Sequence, residues 1–281
     1  YEYNLGTAYD ITSVTNVILD ASIDFTLGAN LTIPSGISLT IPSGRTLTIN
    51  SGVTLTNNGI LTNNGTIDGN GSVIFTNIAS YNNTSDNTDI PSVLSSEMSL
   101  SKYNGLTTTI IISSNETITI DANGKLTING VTLTNNGTIT TNGSLIKNGT
   151  INGTGTIVFD SIKSYNNTSD VIDIKTRIYR SLKLSKYNGL KTTITIAKKE
   201  KLYINRILNI DKDVTLKING KLRISKLNNN GNIIGKYSVK KRGGGGKRDY
   251  IVSKETPFLA YNGTQYSYDE IKASLDNDEP I

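Results

Sequence analysis

The chain has 281 residues, of which 36% are hydrophobic and 6% aromatic, and it carries a net charge of +5. It contains no cysteine and no histidine, which excludes disulfides, thiolate nucleophiles, imidazole catalysis and zinc sites of the usual kind. No apolar run approaches the roughly 20 residues that a membrane-spanning helix needs, so we expect no membrane insertion.

Residues 1–13 precede the periodic part of the sequence, and we interpret them as an N-terminal lead-in or cap. The chain starts at Tyr1 rather than at methionine. We therefore expect that a leader was removed or that the sequence is a segment of a longer protein.

The clearest repeats are three consecutive octets at residues 31–54, LTIPSGIS, LTIPSGRT and LTINSGVT. Strand alternation points the Leu and Ile of each octet to one face and the Thr to the other. A Pro-Ser-Gly or Asn-Ser-Gly corner then ends the strand, because proline lacks a donor and glycine reaches positive φ. The pattern predicts short strands with buried Leu and Ile, outward Thr and a tight corner after each strand.

Units of six residues follow at 55–72, each with an Asn-Gly corner. Asn-Gly between apolar residues is also a hairpin signal, so an antiparallel meander is the alternative. The nearly constant spacing of very short apolar runs favours a solenoid of stacked coils instead. Three octets then form a coil of about 24 residues, and three hexads form one of about 18.

A longer repeat is superimposed on these short units. Residues 75–86 recur at 159–170, and residues 101–106 recur at 185–190, both with an offset of 84 residues. An offset that is held over both segments predicts a duplicated module. The predicted solenoid covers 14–235, with modules at about 14–100, 101–184 and 185–235.

The sequence changes character after the third module. Residues 236–250 are basic, glycine-rich and without a period, and we predict a flexible loop there. Residues 251–281 are predicted to form a cap or tail, with a short helix that starts at the capping box Ser267–Glu270. Such a helix would either cover the open edge of the last coil, as these folds require, or begin a further domain.

The octets, the Asn-Gly hexads at 55–72 and 135–155 and the duplication resemble repeat-built parallel β-helices of adhesins, viral fibres and tailspikes. The resemblance covers roughly residues 14–235. It implies an all-β fold, namely a right-handed parallel β-helix (β-solenoid), to which we add the short C-terminal helical cap or tail.

Charge is distributed unevenly along the chain. The net charge is −7 over residues 1–100, +4 over 101–190, +12 over 191–250 and −4 over 251–281. We expect the basic stretch to be a solvated end of the solenoid or a contact with an anionic partner, and the acidic N-terminal third disfavours nucleic acid. The candidate contacts are Lys198, Lys199, Lys201, Lys240, Lys241, Arg242, Lys247 and Arg248.

Each copy of the module also carries an Asp-x-x-Asp pair after a turn-like Asn-Asn-Thr-Ser stretch. Many parallel β-helix enzymes cleave polysaccharides with clustered acids. Aspartate in a turn also caps backbone donors, and the recurrence in both copies favours this structural role. The candidate repeat-specific surface consists of Tyr81, Asp86, Asp89, Tyr165, Asp170 and Asp173.

Three further patterns have simpler explanations. The run Gly243–Lys247 lacks the first glycine and the Ser/Thr of a phosphate-binding loop. Thr-x-Thr pairs such as Thr46 with Thr48 resemble ice-binding solenoids, but with three units per coil consecutive pairs would lie on different sides. Glycosylation acceptors of the type N-x-Ser/Thr are explained as corners, and glycosylation is retained as a hypothesis for a few of them.

The sequence contains no catalytic, cofactor-binding or metal-binding constellation, and we predict a non-enzymatic structural protein without cofactors. The leading hypothesis is a β-solenoid of an extracellular or virion surface, a fibre, spacer or attachment element that assembles end to end. Its expected partners are copies of itself or other surface or capsid proteins. Two alternatives stay open: a polysaccharide-binding or polysaccharide-degrading β-helix, and a binder of nucleic acid or glycan through residues 191–248.

Overall fold

The structure is a computed structural model that describes residues 15–171, 173–240, 248–252, 258–259 and 265–266. The chain divides into two compact units, Tyr1–Thr156 and Ile157–Ile281. Regular structure in the described residues is almost entirely β-strand, and the strands stack in parallel coils. The predicted all-β solenoid is therefore confirmed, whereas the predicted C-terminal helix and the N-terminal lead-in lie outside the described residues.

The first unit consists of short strands that are interrupted by a five-residue helix and a 3-10 turn. The helix is α1 (Ile78–Asn82) and the 3-10 turn is Tyr103–Gly105. The strands are β1 (Asn16–Ile18), β2 (Phe25–Leu27), β3 (Leu31–Ile33), β4 (Ser38–Ile41), β5 (Thr46–Ile49), β6 (Thr54–Asn57), β7 (Ile60–Asn63), β8 (Thr66–Gly69), β9 (Ser72–Phe75), β10 (Val93–Leu94), β11 (Glu97–Leu100), β12 (Thr107–Ile112), β13 (Thr117–Ile120), β14 (Lys125–Asn135), β15 (Thr138–Thr141) and β16 (Ser144–Asn152).

In the first coils, each strand pairs in parallel with the strand three elements further on. The three columns are β1-β4-β7, β2-β5-β8 and β3-β6-β9. Leu31 aligns with Leu55, three octets later, and Leu55 aligns with Val73, three hexads later. The predicted coils of about 24 and about 18 residues are thus confirmed, and the antiparallel meander is excluded for this region.

Alternation and corners also follow the octet pattern. On β5, Leu47 and Ile49 are buried while Thr46 and Thr48 are half-buried. The next Thr pair lies on β6, which belongs to a different column from β5, so consecutive pairs do not stack. At the Pro-Ser-Gly corner, Gly36 has a φ of +79°, a conformation that glycine adopts without strain.

The later coils of the first unit contain nearly all of the first copy of the 84-residue repeat, residues 75–158, and the second copy begins at residue 159. Strand β12 pairs with β9 on one side and with β14 on the other, and β14 continues to β16. Strands β10, β13 and β15 form a second column. All of these pairings are parallel, so the module extends the same coil construction.

The second unit begins with β17 (Thr156–Phe159), whose first residue is the last of the first unit. It contains helix α2 (Ile162–Asn166) and the 3-10 turn Tyr187–Gly189. Within the described residues, neither α1 nor α2 is long enough and apolar enough to cross a membrane. The remaining strands are β18 (Arg177–Ile178), β19 (Leu182–Leu184), β20 (Lys191–Ile196), β21 (Lys201–Ile210), β22 (Val214–Asn229), β23 (Asn232–Lys240), β24 (Arg248–Val252), β25 (Phe258–Leu259) and β26 (Gln265–Tyr266).

Strands β21, β22 and β23 are long because the chain stays in the ladder through irregular positions, with register shifts between Ile204 and Ile207 and between Ile218 and Leu222. Strands β18 and β19 both pair with β21 in parallel, and β22 lies between β21 and β23. Strand β23 then pairs antiparallel with β24, which matches Lys240 with Arg248. The stretch predicted as a loop at 236–250 is therefore strand at both of its ends, and residues 241–247 lie outside the described residues.

Candidate functional site

Each copy of the duplicated module contains a buried aromatic cluster. In the second copy, Phe159 packs edge-on against Tyr165 and Tyr187, with ring centroids 5.0 and 5.6 Å away. Edge-to-face packing of this kind stabilises more than burial of the same area alone. The first copy repeats the cluster with Phe75, Tyr81 and Tyr103.

The tyrosines that the sequence placed on a repeat-specific surface are core residues. Tyr81 is 5% exposed and Tyr165 is 6% exposed, which corrects their assignment to an exposed surface. The physical reason is the phenylalanine that ends the preceding strand, against which each ring buries its apolar faces. Burial raises the pKa of Tyr165 to about 12 and also raises the pKa of Tyr187, which lies beside the Asp170 carboxylate.

The aspartate of the first copy is a turn anchor. The Asp86 Oδ2 atom accepts hydrogen bonds from Asn63 Nδ2 at 2.7 Å, from Tyr103 Oη at 3.2 Å and from Asn104 Nδ2 at 3.3 Å. Burial, together with this carboxylate, raises the pKa of Tyr103 well above its usual range. Asp89, the second acid of the pair, is exposed.

A second structural carboxylate recurs in both copies and was missed by sequence reasoning. The Glu200 Oε2 atom accepts hydrogen bonds from the Ala197 amide at 2.7 Å and from the Ile162 amide, at the start of α2, at 3.1 Å. Glu116 makes the equivalent bonds at the start of α1. The signal was available, because the two glutamates are 84 residues apart.

An open cleft of about 990 Å³ lies in the second unit, along the segment that follows α2. Tyr179, which is 70% exposed, contributes aromatic surface to it. The charged residues that line this cleft are Asp170, Asp173, Lys175, Arg177, Arg180, Lys183 and Arg206. Basic side chains therefore outnumber acidic ones in the cleft.

Most of these cations have no acidic partner among the described residues. Lys183 Nζ lies 3.0 Å from Asp211 Oδ2, and hydrogen bonds from Lys183 and Ser185 hold the pKa of Asp211 below its usual value. In the part of the chain that the structure describes, no carboxylate lies within ion-pair distance of the other cleft cations, Lys175, Arg177, Arg180 and Arg206.

The two aspartates of the cleft are held by asparagine amides. Asp173 Oδ1 accepts a hydrogen bond from Asn166 Nδ2 at 2.8 Å, and Asp170 Oδ2 accepts one from Asn188 Nδ2 at 3.2 Å. Asp173 is exposed and lines the cleft, and a carboxylate has more acceptor sites than this one hydrogen bond uses. The Asp173 carboxylate thus combines a local structural bond with capacity to accept further hydrogen bonds.

A smaller cleft of about 420 Å³ adjoins the first one and shares Arg177 with it. It is crossed by a ladder of aligned residues on three neighbouring strands, Arg177 on β18, Tyr203 on β21 and Arg223 on β22. The guanidinium carbon of Arg177 lies 5.5 Å from the centroid of the Tyr203 ring, a cation–π contact. We call the two clefts together the basic cleft.

The first copy of the module shows that this basic character is not required by the fold. Val93 pairs with Thr119 in the first copy as Arg177 pairs with Tyr203 in the second. The residues at the positions of Lys175, Arg177, Arg180 and Lys183 in the first copy are Pro91, Val93, Ser96 and Ser99. The cations were thus detectable in the sequence as differences between two copies of one module.

The basic residues that the sequence singled out lie elsewhere. Lys198 and Lys199 are exposed in the turn after β20, and Lys201 is exposed at the start of β21. None of these three lines either part of the basic cleft. Lys240 and Arg248 are aligned in the antiparallel pairing of β23 with β24, and Lys241, Arg242 and Lys247 lie outside the described residues.

Comparison of the chain with protein-family models, with curated proteins and with solved structures finds no match. The described residues also gather no group of three or more acidic side chains that could hold a metal ion. Any functional conclusion therefore depends on the geometry of the two module copies and of the basic cleft.

Proposed function

We propose that this chain is a non-enzymatic β-solenoid of an extracellular or virion surface, where it acts as a fibre, spacer or attachment element. The observation that carries the proposal is the structural use of acids in both copies. Glu116 and Glu200 each join a helix start to the following turn, and Asp86 anchors a turn through three donors. These carboxylates, which could in principle act as catalytic acids, accept structural hydrogen bonds that connect neighbouring coils.

Attachment is the role that the geometry favours among these three. The regular coils of the first unit present Thr and Asn to solvent, whereas the second unit adds a cleft whose cations mostly lack a carboxylate partner in the described part of the chain. A fibre or spacer needs only the coils. A concave basic surface built on the same coils supports recognition of an anionic partner.

Immunogold labelling of intact cells or particles from the source tests the location. We expect label on the outer surface before permeabilisation. Label that is found only after permeabilisation would contradict the proposed surface location.

A second candidate function, polysaccharide binding, is favoured by a specific observation. Asp170 and Asp173 line the basic cleft together with Lys175 and three arginines, and acids that converge with bases in a groove are typical of polysaccharide sites. The same aspartate pair recurs in the first copy, where Asp86 anchors a turn, which argues against a dedicated catalytic pair. An assay for new reducing ends on acidic polysaccharides should detect none, and ends whose release stops in Asp170→Asn would favour an enzyme.

Self-association is the partner that the charge distribution supports. The acidic N-terminal region and the basic region at 191–250 are complementary, so contacts between copies are expected to strengthen at low ionic strength. Analytical ultracentrifugation at low and high salt tests this expectation. A chain that stays monomeric at high concentration and low salt would rule it out.

A further inference from the structure

We propose that the basic cleft of the second unit binds an acidic polysaccharide, a chain of sugar rings that carries carboxylate or sulfate groups. This inference rests on the attachment role proposed above and names the class of partner. Four features of the cleft support it: cations without a carboxylate partner among the described residues, the ladder of Arg177, Tyr203 and Arg223, the presence of acidic as well as basic side chains, and the absence of these cations from the first copy.

The unpaired cations define the charge of the ligand. Lys175, Arg177, Arg180 and Arg206 line one concave surface, and no carboxylate of the described residues pairs with them. Arginine is suited to carboxylate and sulfate because its guanidinium presents parallel N–H donors to two oxygens at once. The cleft therefore fits a ligand with several planar or tetrahedral anionic groups.

The ladder of Arg177, Tyr203 and Arg223 sets the direction in which a bound polymer would run and the spacing of its contacts. Neighbouring parallel strands lie about 4.8 Å apart, so Arg177, Tyr203 and Arg223 present positive charge, ring and positive charge at regular intervals. Tyr203 packs against the Arg177 guanidinium and limits its orientations, so we treat Tyr203 as a positioning residue. A polymer with acidic groups on its sugar rings carries charge at a similarly regular spacing.

The mixed composition favours a sugar polymer over nucleic acid. Asp173 lines the cleft and can accept hydrogen bonds from sugar hydroxyls, which a polysaccharide presents on each ring. The backbone of single-stranded DNA carries a charge at every nucleotide and no such hydroxyl along its length. Asn205 and Ser225, which line the smaller part of the cleft, offer further hydroxyl partners. Binding of single-stranded nucleic acid depends on stacking of successive bases on several aromatic side chains. Of the rings that line this cleft, Tyr165 is buried, Tyr203 packs against the Arg177 guanidinium and Tyr179 is exposed.

The first copy provides the substitutions for a matched experiment. Arg177→Val with Arg180→Ser installs the residues that the same backbone positions carry in the first copy, Val93 and Ser96. The control, Lys198→Ser with Lys199→Asn, installs Ser114 and Asn115 in the same way. Both double variants lose two positive charges, but only the first one changes the basic cleft.

Binding is measured by biolayer interferometry at physiological ionic strength, with polygalacturonate, dextran sulfate, neutral dextran and single-stranded oligothymidine as probes. We expect the cleft variant to bind polygalacturonate or dextran sulfate about tenfold or more weakly than the unmodified chain. The control should change this affinity less than about threefold. The polymer that responds identifies carboxylate or sulfate as the preferred group.

Three results would overturn the proposal. Equal weakening in both double variants would show diffuse charge attraction, equal binding of neutral dextran would remove the role of charge, and tighter binding of oligothymidine would indicate nucleic acid. Arg206→Gln, which changes an exposed residue of a bulge, provides a second variant in case the double variant folds poorly. It should weaken binding in the same direction, and unchanged affinity in this variant would also count against the proposal.

Tyr203 has its own test as a positioning residue. Tyr203→Ala should weaken binding of the acidic polysaccharide, and Tyr203→Phe should restore it, because the ring without its hydroxyl still packs against Arg177. Equal loss in both variants would contradict the positioning role.

Failure of this inference can be separated from failure of the proposed function. A chain that is displayed on a surface but does not discriminate the acidic polymers overturns the inference and leaves the surface role standing. A chain that binds polygalacturonate through the cleft but is labelled only inside cells overturns the surface role and leaves the inference standing.

Discussion

Replacement of Glu200 by alanine should destabilise the second unit more than its partly exposed position suggests. The carboxylate accepts two amide hydrogen bonds, from Ala197 at 2.7 Å and from Ile162 at 3.1 Å. It thereby connects the start of α2 to the turn at 197–200, which follows β20. A hydrogen bond to a charged group contributes about 1.5–3 kcal/mol. Because Glu200 is half-buried and water can partly replace it, we expect a loss of about 2–4 kcal/mol in the free energy of unfolding.

Urea unfolding followed by far-UV circular dichroism measures this loss, and hydrogen exchange locates it. The amides of Ile162 and Ala197 should lose protection in Glu200→Ala. Lys199→Ala, an exposed neighbour in the same turn, is the control and should change stability by less than about 0.5 kcal/mol. Glu116→Ala should produce the same local effect at α1 in the first unit.

The reasoning would be refuted by a Glu200→Ala variant whose stability matches that of the control and whose two amides stay protected. That result would mean that water or neighbouring groups replace the carboxylate fully, so the recurrence of the glutamate would lose its structural explanation.

The remaining predictions concern the core, the corners and pH. Phe159→Ala should lower the free energy of unfolding by about 3–5 kcal/mol in urea titrations, since the ring is fully buried against two tyrosines; a loss under about 1 kcal/mol would contradict this. Gly59→Ala should prevent folding or lower the thermal midpoint strongly, because a Cβ there would lie 2.2 Å from the Ile37 carbonyl oxygen. The control Gly36→Ala places its Cβ in open space, so it should lower the free energy of unfolding by only about 1 kcal/mol, from backbone strain at positive φ. Stability should hold up to about pH 10 and fall towards pH 12, because the unfolded chain releases its tyrosine protons near pH 10 while burial raises the pKa of Tyr165 to about 12; urea midpoints that do not fall over this range would contradict it.

The number of residues per coil was predictable because three short repeats make up one coil. The spacing of the leucines determines which strands pair, and the observed alignments of Leu31 with Leu55 and of Leu55 with Val73 follow from the octets and hexads. Side-chain alternation predicted the burial of Leu47 and Ile49 for the same reason. These features depend on local sequence and on stacking alone.

The candidate site was less predictable because it depends on contacts between distant coils. Arg177 and Arg206 are separated in sequence and meet only through the pairing of β18 with β21, so a search for dense basic runs favoured Lys198 and Lys199 instead. Burial of Tyr81 likewise depends on Phe75 of the preceding strand. A direct comparison of the two copies, position by position, would have shown Arg177 as a new cation.

Hydrogen exchange with mass spectrometry, with and without polygalacturonate or dextran sulfate, tests the central claim most directly, because the first copy is an internal control in the same sample. We expect added protection in peptides that cover residues 173–183 and 203–207 of the second unit. We expect none in the equivalent peptides at 89–99 of the first unit. Equal protection in both copies, or protection in neither, would contradict the claim that the second copy carries the binding site.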